Sequence, residues 1–190
     1  MKNPKNSFWK PRAGTTTCTA RTSRPCGNAT LIKQDVPFCT NGRLKLAIAL
    51  SFPLLIGLAS GYLSADSIST WYQTLEKPSF NPPNWLFGPV WTLLYLLMGV
   101  SLYLAWTKTS IDKLPFFFIQ LFLNAAWSPL FFLLQNPLLA LIDIALLWLA
   151  IIAMIFQLYA HSRSAALLQV PYFLWVTFAA ALNLAIALLN

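Results

Sequence analysis

The chain has 190 residues, room for one ordinary domain; 57% of them are hydrophobic and only 9% are charged. A water-soluble domain carries nearer a quarter charged residues, because its surface must be solvated, so this composition excludes an ordinary soluble protein and points to lipid as the solvent. The net charge of +8 does not indicate a nucleic-acid partner: nine of the thirteen basic residues lie between Lys2 and Lys45, and no basic stripe falls on a folded element.

Residues 1–43 form a basic tail rich in Thr, Ser, Asn and Pro, with neither helical nor strand period. Such a segment cannot bury enough apolar area to offset its ordering entropy, which predicts disorder. Its composition suits an organelle transit peptide and equally a dispensable extension. Cys18, Cys26 and Cys39 match no zinc spacing, and the one histidine, His161, is remote, so they are read as incidental thiols.

From Leu44 the pattern changes. Five apolar segments follow, at about 44–63, 85–106, 114–134, 137–159 and 165–189, each long enough as a helix to cross a ~30 Å hydrocarbon core. The alternation of barrel strands is absent. The predicted fold is an all-α integral membrane bundle of five transmembrane helices over 44–190. Short links after the second helix make the later helices antiparallel neighbours. The one long loop, Ser64 to about Asn84, holds Trp71, Tyr72, Leu75 and Phe80 between prolines. Basic residues near the helix ends (the tail, Lys108, Lys113 and Arg163) predict the N-terminus on the positive-inside face and the C-terminus opposite.

Polar groups inside a bilayer are costly, so the few present are informative. At helical spacing Phe87, Trp91, Tyr95 and Trp106 share a face of the second helix, and Gln120, Asn124, Trp127 and Phe131 one of the third. Asp143, Leu147, Met154 and Gln157 do so on the fourth, and Gln169, Tyr172, Trp175, Ala179 and Asn183 on the fifth. Turned inward, these faces satisfy the amides and leave Leu, Ile and Phe for lipid. Interhelical hydrogen bonding explains many of them, whereas Trp91, Trp127 and Trp175 beside amides also suit a flat, aromatic, mostly apolar ligand. Gly57 and Gly61 form a G-x-x-x-G that allows close helix contact, and with it a homodimer.

The run WYQTLEKPSFNPPNWLFGPVWTLLY, Trp71 to Tyr95, resembles the signature of the TspO/MBR family, the tryptophan-rich sensory proteins and translocator proteins. The resemblance continues through FLNAAWSPLFF (Phe122–Phe132), LID at Asp143 and PYFLWVTFAAALN (Pro171–Asn183), covering about Leu46 to Asn190. It implies a bundle whose first loop folds as a lid over a pocket, with protoporphyrin IX or haem as ligand and no obligatory cofactor or metal. The matching pocket positions are Tyr72, Phe87, Gly88, Val90, Trp91, Tyr95, Asn124, Trp127, Phe131, Asp143, Leu146, Trp175 and Ala179. The function it implies is a membrane binding protein for porphyrins and related hydrophobic molecules, in stress sensing or tetrapyrrole homeostasis. Light-dependent porphyrin degradation, involving Trp91 and Trp175, and transport of lipid or porphyrin are the alternatives.

The chain departs from the animal members. Its last helix ends LNLAIALLN, without the Tyr and Arg of the sterol-associated pattern; Leu139 stands where they carry a pocket Trp, and Pro115 and Ile119 replace small residues of the proposed dimer face. The expectation is a bacterial-type or plant-type member.

Overall fold

The computed structural model describes residues 42–190. The predicted disordered tail therefore lies outside the described residues, apart from Gly42 and Arg43, which open the first helix. Seven α-helices follow in order: α1 (Gly42–Ser69), α2 (Trp71–Thr74), α3 (Asn84–Trp106), α4 (Pro115–Ser128), α5 (Pro137–His161), α6 (Arg163–Leu167) and α7 (Val170–Leu189). Five spans are long and apolar enough to cross a membrane: α1, α3, α4 with the π turn that extends it to Leu133, α5, and α6 with α7.

Local chemistry sets the boundaries. α1 runs past the predicted end at Leu63 to Ser69, because its polar residues bond back along the helix: Ser64 Oγ donates to the Ser60 carbonyl (2.7 Å) and Thr70 Oγ1 to that of Asp66 (2.7 Å). The third span passes from α4 into a π turn, Pro129–Leu133, where the Leu134 N–H reaches the Pro129 carbonyl at 2.9 Å. Gln135 then takes a left-handed φ of 50°, and the Asn136 side chain caps α5 by accepting from the Leu139 N–H at 2.9 Å. The fifth span is broken between α6 and α7. Pro171 has no N–H for the Leu167 carbonyl four residues before it, so the first turns are interrupted there.

α1 packs on α3, α4 on α5, and α5 on α7. One end of the bundle is filled by Met98, Leu102, Ala105, Leu114, Phe117, Met154, Leu158 and Ala165, all buried. There the Ser101 hydroxyl donates to the Ala165 carbonyl at 2.8 Å, tying α3 to α6. The α1–α3 contact depends on glycine. A Cβ on Gly99 would stand 2.8 Å from the Ala49 carbonyl oxygen and from the Leu50 Cα. That carbonyl is the one deprived of its helical N–H partner by Pro53. A Cβ on Gly57 would collide with the Tyr95 ring, so Gly57 is occupied within the bundle.

Candidate functional site

At the other end the helices enclose a cavity of about 550 Å³, walled by α1, α3, α4, the π turn, α5 and α7, with Tyr72 of α2 over it. A volume in the range of roughly 300–1,000 Å³ suits a small organic ligand. The walls are largely apolar and aromatic, and no charged side chain is among the described residues lining them.

Two hydrogen-bonded series bring polar groups to the walls, at two points. At the first, the Tyr95 hydroxyl donates to Asn124 Oδ1 (2.6 Å), Asn124 Nδ2 donates to the Tyr172 hydroxyl (3.1 Å), and that hydroxyl donates to Gln120 Oε1 (3.0 Å). Gln120 Nε2 ends the chain on the Phe117 carbonyl at 3.0 Å. Three spans are thus linked by one directed series of bonds, each acceptor satisfied in a medium that offers no water. At the second point, Trp127 Nε1 donates to Asn183 Oδ1 (3.2 Å) and Asn183 Nδ2 to the Pro137 carbonyl (2.8 Å), joining α4, α7 and α5.

The aromatic walls interlock. Trp91 stacks on Tyr95 at 5.7 Å between centroids, and Trp127 on Phe131 at 5.1 Å. The connection between α1 and α3 closes one end: Trp71 meets Phe131 edge-on at 5.6 Å and Tyr72 meets Phe132 at 5.9 Å. Tyr72 donates to Asn81 Oδ1 at 3.0 Å, and burial pushes its phenol above the ordinary value while that hydrogen bond pulls the other way. Lys77 lies 4.7 Å over the Tyr72 ring. The Glu76 N–H donates to Asn190 Oδ1 (3.0 Å) and Asn190 Nδ2 to the Glu76 carbonyl (3.1 Å), fastening the loop to the end of α7.

Of the residues singled out from sequence, Tyr72, Phe87, Gly88, Trp91, Tyr95, Asn124, Trp127, Phe131 and Ala179 line the cavity. Val90, Asp143, Leu146 and Trp175 do not. Leu146 is 51% exposed on the outer side of α5, and Val90 packs against the main core. Trp175 meets Phe87 edge-on at 6.0 Å, and its Nε1 is buried without a hydrogen-bond partner among the described residues. Asp143 is buried in the bundle, and its Oδ2 likewise has no partner there. Among the described residues no group of three or more His, Cys, Asp or Glu side chains is placed to hold a metal ion.

The chain is similar to known proteins over nearly all of its described length. The model of the TspO/MBR family matches residues 49–189. The chain belongs to the TspO/MBR family. It is 51% identical over 150 residues to the tryptophan-rich protein TspO of Archaeoglobus fulgidus, covering 77% of this chain and 97% of that one. With the tryptophan-rich protein TspO of Chlorobaculum tepidum it shares 43% identity over 152 residues, 77% of this chain and 96% of the other. With the human translocator protein it shares 40% over 119 residues, covering 60% and 70% of the two chains.

In this TspO/MBR chain the wall that sequence reasoning missed is α1, which contributes Leu54, Gly57, Ser60, Gly61 and Ser64 among others. It is apolar almost all round and presents no polar or aromatic stripe to mark an inner face. The pair Ser60 and Ser64, one turn apart and both buried, was the signal available. Asn183, on the inward face of the last helix, makes interhelical hydrogen bonds as expected of the amides there, and it also lines the cavity while fixing the Trp127 indole.

Proposed function

We propose that this TspO/MBR protein binds a flat, largely apolar aromatic molecule of the tetrapyrrole class, protoporphyrin IX or haem, within the bundle. The observation that carries this reading is the cavity itself: about 550 Å³ beneath the Tyr72 loop, with Trp91 stacked on Tyr95 in one wall and Trp127 stacked on Phe131 in another. Indole and phenol rings offer extended faces to a conjugated macrocycle, while Asn124 and Asn183 supply polar atoms without charge. The reading places the protein in stress sensing or tetrapyrrole homeostasis as a binding protein. Light-dependent degradation has narrower support: Trp91 lines the cavity, but Trp175 reaches it only through Phe87.

Orientation follows from charge. Arg43, Lys45, Lys108, Lys113 and Arg163 cluster at the packed end, where Lys45 lies 5.4 Å over the Trp106 ring, whereas the Tyr72 loop carries Lys77 as its basic residue. By the positive-inside rule the packed end faces the cytoplasmic or equivalent compartment and the loop faces away from it.

Titrating the purified protein with protoporphyrin IX tests the binding reading. Tryptophan emission should be quenched saturably, and Trp91→Ala should weaken binding about tenfold, the equivalent of ~1.4 kcal/mol. Quenching no greater than in detergent micelles containing an unrelated membrane protein would refute it.

A further inference from the structure

The cavity is not closed on all sides. Several residues that line it are also exposed on the outside of the bundle: Leu58 (70%), Tyr62 (84%) and Gly61 on α1, and Gly88 and Thr92 on α3. An added Cβ at Gly61 or at Gly88 would meet no atom within 4 Å, the opposite of Gly57 and Gly99. α1 and α3 are therefore in tight contact from Ala49 to Gly57 and part beyond it.

Helix geometry sets the depth of the gap. Gly61 lies five residues before Asp66, or about 7.5 Å at a helical rise of ~1.5 Å per residue. Gly88 and Thr92 lie four and eight residues inside the start of α3 at Asn84, beyond the exposed Trp85. Trp85 is suited to the interface. The gap thus begins below the interface and runs into the hydrocarbon, flanked by exposed Leu58 and Leu93. By contrast, the route towards water is covered by the Tyr72 loop, which is held by its aromatic contacts and by the two Glu76–Asn190 hydrogen bonds.

We propose that the cavity exchanges its contents with the hydrocarbon of the bilayer through this lateral portal between α1 and α3, rather than with water through the loop. A largely apolar void open to acyl chains admits a lipid chain when no other ligand is present, and a membrane-dissolved ligand enters by displacing it. The ligand identity rests on the function proposed above; the portal does not, because acyl chains alone report on it.

The test uses the full chain in phosphatidylcholine vesicles with or without bromine atoms on the acyl chains. The emission of Trp91, taken as wild type minus Trp91→Phe, should lose most of its intensity in brominated vesicles with no ligand added. Gly61→Leu combined with Gly88→Leu should restore it. Trp91 emission indifferent to bromine, or quenched equally in the plugged protein, would overturn the portal whatever the protein binds. Where protoporphyrin IX binds, the milder Gly61→Val, at the mouth of the portal, should slow both its uptake and its release. Asn190→Ala, which frees the loop from α7, should leave both rates unchanged. Faster exchange in Asn190→Ala with no effect of Gly61→Val would overturn the proposal in favour of entry beneath the loop.

Discussion

The two ends of this bundle solve the same packing problem with different side chains. At the basic end Gly99, Ala105, Ala165 and Ala166 let helix backbones approach, and Met98, Leu102, Phe117 and Met154 fill the remaining space. At the loop end, Trp91, Trp127, Phe87, Phe131 and Tyr72 stand in the walls of a hollow. In a bilayer little hydrophobic force holds helices together, so stability comes from close contact and hydrogen bonds. Small residues provide that contact at one end. Large rigid rings hold the walls apart at the other, with the Tyr95–Asn124–Tyr172–Gln120 chain crossing the boundary between the two. On the function proposed above, the packed end sets stability and the hollow end sets what is bound.

Substitutions at the two ends should separate these properties. The largest loss of stability is expected for Gly99→Leu, because the obstacle is the α1 backbone, which cannot rotate away as a side chain can. Overpacking of this kind costs about 3 kcal/mol, at the upper end of the usual range, and should appear as a large fall in the thermal unfolding midpoint in detergent. Asn124→Leu comes next: it deprives Tyr95 of an acceptor and Tyr172 of a donor in a buried site. A loss of about 2 kcal/mol is expected, and ligand binding should weaken too, because Asn124 belongs to both regions. The smallest effect on stability is expected for Trp127→Phe, which removes one interhelical hydrogen bond worth about 0.6 kcal/mol. If Trp127→Phe proved as disruptive as Gly99→Leu, the hollow end would be carrying stability and the division would fail.

Much of this difference was written in the sequence at the level of residue type. Lengths of apolar sequence gave five spans, and periodicity brought Asn124, Trp127 and Phe131 to one face of the third. Periodicity has a resolution of about a third of a helix's circumference, however, and a cavity occupies only part of that arc. Leu147 lines the cavity while Asp143, one turn away on the same face, does not; Phe87 lines it while Trp175 stands against Phe87. The inner face of α1 was faint for a different reason: a helix apolar almost all round carries little directional signal beyond the Ser60–Ser64 pair, and its role emerges from what Gly57 and Gly61, and Gly99 of α3, meet or fail to meet. Likewise the helix break before α7 follows from Pro171 once it is seen, although the apolar run alone predicts a continuous span.

The central claim is that the ligand occupies the hollow end, and Ala179 tests it most directly. This small side chain lines the cavity from α7 without taking part in either hydrogen-bond series. Equilibrium titration of Ala179→Phe with protoporphyrin IX should show binding lost, as the added ring fills the space, while the unfolding midpoint stays near that of the wild type. Undiminished binding by Ala179→Phe, in protein of unchanged stability, would place the ligand elsewhere and contradict the account.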